Sequence, residues 1–312
     1  MKKSPPVTPF HGTVSAGPDY RPGSPNHIIA KPVHSPETLR RLDLYRTGGL
    51  IGDVSGLTFL LVVFVLPLAV LVISSLSASW SFPELLPEAL SLRALQYVSS
   101  QIRPILLSLL SSSAYSLLTV GFVFLLSLLP ARALARYDFP GKTFVDALLL
   151  IPVLLPVMTF SMGIHVIFLR LGLSDTFAGI VLILSIYSYP YMLRALISGY
   201  LRIPGQYTTT ARNLGGSFLY TLLHVELPML LPGIAAGASV VFLVAFSEYF
   251  LVFLIGGGAV PSYTGYLFPF LQGSDHSIAS LLALIFLVIP LLLFFLMEGI
   301  ISTIYKKRGL EA

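Results

Sequence analysis

Six stretches of this chain are too long and too apolar to be surrounded by water. They are Leu57–Ser77, Pro104–Leu129, Ala147–Leu169, Phe177–Leu193, Pro232–Leu254 and Ser277–Met297. A hydrocarbon core about 30 Å thick is crossed by roughly 20 apolar residues in a helix. Phe177–Leu193 reaches that length when it extends to about Ile197. Within these bounds only His165 and Glu248 bring an acidic or basic side chain. The runs are continuous and do not alternate every second residue, which excludes barrel strands and favours helices. The expected fold is all-α, a polytopic membrane protein with six transmembrane helices. Charged residues make up 11% of the chain, against about 25% in a soluble domain.

Charge placement gives the orientation. Of the 19 Lys and Arg, only Arg93, Arg103 and Arg170 fall in the second set of alternating loops. The other sixteen share one side, and basic loops remain in the cytoplasm. Both termini are therefore expected to be cytoplasmic. The net charge of +5 reflects topology, with anionic lipid head groups and not nucleic acid as its partner. With no cysteine in the chain, disulfides and thiolate metal sites are excluded.

Residues 1–56 read as a cytoplasmic tail without a packed core, rich in proline, with a short basic helix near Leu39-Arg40-Arg41-Leu42. The first apolar run begins too late and is too long for a cleaved leader. Residues 57–305 form the transmembrane domain and 306–312 a second tail. Trp80, Tyr97, Tyr187, Tyr189 and Tyr191 are expected to be interfacial anchors.

The most informative segment is Ser198–Leu231, SGYLRIPGQYTTTARNLGGSFLYTLLHVELPMLL. Pro204-Gly205 marks a turn. Tyr207–Leu214 suits a short helix, and Gly215-Gly216 supplies its stop. Ser217 is placed to cap a second helix. That helix presents Phe218, Leu219, Leu222, Leu223 and Val225 on one side, and Pro228 ends or kinks it. An apolar helix outside the bilayer needs a partner groove. Glu226 is expected to face solvent or that partner.

Ala211-Arg212-Asn213-Leu214-Gly215-Gly216-Ser217, followed by Leu227-Pro228 and Pro232-Gly233, resembles the EAA loop of binding-protein-dependent ABC importer permeases. The resemblance extends to Arg132-Ala133-Leu134-Ala135-Arg136 with Phe139-Pro140-Gly141, to Arg170–Leu173, to Phe246–Phe250, and to Trp80 with Phe82-Pro83 and Leu86-Pro87. Together these are similar to the branch that imports polyamines, thiamine or ferric iron. The resemblance implies that the loop docks into a cytoplasmic ATPase through Thr209, Thr210, Ala211, Leu214, Gly215, Ser217, Leu222 and Pro228. It implies further partners: a second permease and an extracytoplasmic substrate-binding protein, at a bacterial inner membrane. The motif's glutamate and first alanine fall on Thr209 and Thr210, so an unequal pair, with the full motif on the other permease, is expected.

Gly141-Lys142-Thr143 imitates the end of a phosphate-binding loop, but the position five residues ahead of its glycine is Arg136. No cofactor or catalytic arrangement is expected, and ATP hydrolysis is assigned to a partner. Glu248 is a candidate for the substrate pathway, because a carboxylate in the membrane usually faces a cavity or a partner. His165 is a weaker candidate. The serines of Ser108–Ser116 suit close helix packing. The loop at Ile255–His276 is read as re-entering the membrane edge, as a short helix at the pathway mouth, or as a plain surface loop. An ion-coupled secondary transporter is the alternative, with Glu248 and the helix-breaking Pro67, Pro152 and Pro156 carrying the coupling. Gly215→Pro or a charged replacement of Leu222 is expected to separate ATP hydrolysis from transport while membrane insertion persists, and normal ATP-dependent uptake by both variants would defeat the assignment of the loop.

Overall fold

The computed structural model describes residues 56, 58–78, 80, 84, 86, 87 and 89–308. The remainder of the N-terminal tail, Phe82-Pro83 and the last four residues lie outside the described residues. By contacts the chain divides into Met1–Val62 and Val63–Ala312. In the first unit, residues 58–62 are helical and exposed.

Nearly everything described is helix, and one isolated bridge joins Ser77 to Leu90. Among the described residues, four helices are long and apolar enough to cross a membrane: α1 (Thr58–Ser75), α3 (Ile102–Arg136), α6 (Phe177–Arg202) and α13 (His276–Arg308). Between α1 and α3 lies the short α2 (Arg93–Ser100). Two further spans are present if each bent pair counts as one.

The third expected span is such a pair. It is α4 (Lys142–Leu154) and α5 (Val157–Arg170), which meet at 98°. The break is at Leu155-Pro156. Proline disfavours the helical region for the residue before it, and Leu155 is extended, with φ −84° and ψ 139°. Pro152 lies inside α4 without ending it.

The fifth expected span is also divided. After α7 (Gly205–Asn213), the helical segment Phe218–Met229 comprises α8 (Phe218–Thr221), a π-helical turn (Leu222–Glu226) and α9 (Leu227–Met229). It bends by 72° into α10 (Leu231–Ser247). α10 stops at Glu248, and α11 (Phe250–Gly256) starts anew. The 255–276 loop contains α12 (Tyr263–Gln272), so the helical reading of that loop holds.

Helix α6 packs against α3, α4, α10 and α11. One buried cluster joins Val123 and Leu134 of α3 to Leu193, Leu196 and Tyr200 of α6 and Val241 of α10. A second joins Ile105, Phe246, Tyr263 and Leu282, and a third joins Tyr115, Phe168, Ile183 and Ile255. Ser108, Ser112 and Ser116 are buried on α3, and the backbone N–H of Tyr263 donates to Ser112 Oγ at 2.8 Å. Ser77 and Ser277 share a 3.1 Å hydrogen bond, and Ser280 donates to Ser74 at 2.9 Å, tying the end of α1 to the start of α13. The outward faces of α1 and α3 are Leu, Val and Phe, the surface that lipid solvates.

The α6–α10 contact requires small residues. A Cβ on Gly237 would lie 2.6 Å from the Met192 sulfur and 3.0 Å from the Ala195 Cβ. Gly237→Val is therefore expected to destabilise the fold by about 1–3 kcal/mol through overpacking. The thermal midpoint in detergent measures this, and an unchanged midpoint would contradict the close approach.

Candidate docking loop and its buried ion pair

The loop projects from the end of α6. Pro204 precedes α7, and the helix closes at its far end in a Schellman motif. Gly216 N–H donates to Ala211 O and Gly215 N–H to Arg212 O, each at 2.9 Å. Gly215 has φ +88°, and a Cβ on Gly216 would lie 2.7 Å from Ala211 O. Both glycines are needed, for different reasons. Ser217 then caps α8, its hydroxyl accepting from Tyr220 N–H at 3.2 Å.

The following π turn is explained by Pro228. In an α-helix the proline ring would meet the carbonyl four residues back. Widening the preceding turn relieves that contact, and Leu227 N–H bonds Leu222 O, five residues back. The segment thus passes Pro228 without ending, and its bend lies at Leu230.

One side of this segment, with Thr221, Leu222 and Glu226, is buried, and the other is exposed. Leu222 is 6% exposed, so its expected place on a docking face is corrected: it belongs to the interior. Pro228 is buried as well. Leu214 is 84% exposed and Leu219 60% exposed, and Phe218, Tyr220 and Leu223 are also exposed. An open concavity is lined by Ala211, Leu214, Gly215, Gly216, Ser217 and Tyr220. Thr209 and Thr210 are exposed on α7, and the Thr209 hydroxyl turns back to donate to Gly205 O at 3.2 Å.

Glu226 is the second correction. It was expected to face solvent or a partner, and it is 0% exposed. Its carboxylate is gripped by Arg132 of α3, with Nε to Oε2 at 2.8 Å and Nη2 to Oε1 at 2.9 Å. Thr208 of α7 also donates to Oε1, at 3.4 Å. The Arg132 guanidinium lies 5.0 Å from the ring centroid of Phe218, a cation–π contact. One ion pair therefore joins α3, α7 and the α8–α9 segment. Arg136, one turn further along α3, has Nη2 buried without a partner, and so has the hydroxyl of Tyr200. Sequence reasoning missed the pair. The available signal was Glu226 itself, a lone carboxylate in an apolar helix, the criterion that singled out Glu248.

Glu248 and His165 are not brought into the loop. Glu248 Oε1 accepts from Phe250 N–H at 3.1 Å and Leu251 N–H at 3.2 Å, satisfying the first turn of α11. His165 lies on α5 with Nδ1 buried and without a partner. Asp146 is engaged by Arg194 at 2.9 Å.

Comparison with known proteins agrees with this architecture. The family described as binding-protein-dependent transport system inner membrane component matches residues 123–304. The chain is 30% identical over 198 residues to the molybdate/tungstate transport system permease protein WtpB of Thermococcus kodakarensis, covering 64% of this chain and 74% of that one. It is 27% identical over 271 residues to the sulfate transport system permease protein CysT of Escherichia coli, covering 82% of this chain and 91% of that one. Its fold matches the crystal structure of a bacterial ABC transporter involved in import of the acidic polysaccharide alginate. That match has a TM-score of 0.62 at 15% identity and covers 86% of this chain and 99% of that one. The chain belongs to the family of inner-membrane components of binding-protein-dependent transport systems.

Proposed function

We propose that this chain forms half of the pathway of an ATP-driven importer, that a separate ATPase moves it through residues 205–229, and that its solute is a tetrahedral oxyanion. The observation that carries the coupling role is the exposed apolar face around the Gly215 corner. Leu214, Leu219 and Leu223 stand exposed between α7 and α9, on a stretch whose Phe218–Met229 part bends by 72° away from α10. Water disfavours such a face, and a groove on a partner protein removes it from water. A second permease and an external binding protein complete the assembly.

The oxyanion is supported by the relatives, which are named for molybdate, tungstate and sulfate. Glu248, the carboxylate that a cation would favour, already has one oxygen accepting two backbone N–H groups.

Leu214→Glu is expected to abolish co-purification of the ATPase while the chain still inserts. Wild-type ATPase recovery from that variant would place the docking face elsewhere. In membrane vesicles, ATP is expected to drive uptake of labelled sulfate or molybdate, with no uptake of putrescine. Uptake driven by an ion gradient in the absence of any ATPase would instead establish secondary transport.

A further inference from the structure

The Arg132–Glu226 pair does more than fill a gap in the packing. Removing two charges from water is costly, and a bidentate pair offsets that cost only when both partners keep their geometry. Both partners are nearly inaccessible, Arg132 at 7% and Glu226 at 0%. They are 94 residues apart in sequence. One sits on the long helix α3, and the other on the segment that carries the exposed leucines. Thr208 ties α7 to the same carboxylate, and Phe218 of α8 sits beside the same guanidinium. The parts that would receive a push from outside are thus fastened to α3 at one point.

A hinge at this place would look different. Its contacts would be exposed and readily exchanged with water. Here the fastening is dry and two-pronged, and the flexible-looking corner at Gly215 is locked by its own Schellman bonds.

We infer that Arg132 and Glu226 are positioning residues for coupling: they clamp the docking loop to α3 so that loop and helix move as one body through the transport cycle. This rests on the proposed role of the loop in receiving force from an ATPase. Arg132 and Glu226 touch neither solute nor nucleotide in this account. They act by keeping the displacement of the exposed leucines from being absorbed in the loop.

The test uses the full complex of this chain with its ATPase and companion permease in proteoliposomes. The chain has no native cysteine, so with cysteine-free partners spin labels at Gln206→Cys on α7 and at the exposed Phe139→Cys just beyond α3 report one distance within the chain. In the wild type that distance is expected to be the same without nucleotide and in the vanadate-trapped state. In Glu226→Gln it is expected to differ between the two states, and solute imported per ATP hydrolysed is expected to fall roughly tenfold, within the range of ordinary coupling energies. A merely structural role would lower the thermal midpoint and leave that ratio intact.

If Glu226→Gln does not fold, Arg132→Met with Glu226→Met removes both charges together and serves instead, with the same loss expected. Wild-type import per ATP in either folded variant overturns the clamp, as does a wild-type distance that changes between states. A wild type that imports without an ATPase defeats the functional proposal itself. A wild type that requires ATPase, beside a fully coupled Glu226→Gln, defeats only the clamp.

Discussion

Arg132 and Glu226 meet where α3, α7 and the π turn converge, and each of those elements depends on the other two for its place. The pair has no cheap half. With one partner removed, the other is a buried, uncompensated charge, a change that typically costs about 3–5 kcal/mol. Glu226 lies on the buried side of its segment, with Thr221 and Leu222. That carboxylate fixes a loop to a helix that precedes it by 94 residues.

The same accounting governs the rest of the chain. In hydrocarbon no water satisfies a free N–H or C=O, so every helix end in an apolar setting needs an internal partner. Glu248 Oε1 serves two N–H groups of α11. Thr176 caps α6 through Gly179 N–H at 2.9 Å, and Ser262 caps α12 through Gly265 N–H at 3.1 Å. Asp175, at φ +61°, donates its N–H to Ile255 O at 2.7 Å and so joins the turn before α6 to the end of α11. α6, α11 and α12 thus each begin with a side-chain acceptor for their first N–H groups.

Much of this was legible in the sequence. Hydropathy located the long apolar segments because length and composition alone decide membrane solubility. The glycine stop at Gly215-Gly216 and the cap at Ser217 were legible because both are local chemistry. The bends were not. Pro156 breaks its helix while Pro152, four residues earlier, does not. Leu155, before Pro156, is extended, while Ile151, before Pro152, stays helical, and nothing in the two local sequences announces the difference. The place of Leu222 was lost because its helix is apolar on more than one side, and the sequence does not say which side meets α3 and α6. Glu226 was lost because its partner lies on a distant helix, and no local pattern announces an ion pair of that separation.

That separation bears on how the chain is made. Arg132 leaves the ribosome 94 residues ahead of Glu226, a delay of about 5–20 s at ordinary rates of synthesis. Throughout that interval the Glu226 carboxylate has not yet been made. The end of α3 must remain in water or head groups until the loop arrives, and only then can the dry seat close. Burial of Arg132 is thus a record that α3, α6 and the loop have all been delivered to the membrane, and a chain that stalls before Glu226 is left with its basic seat open.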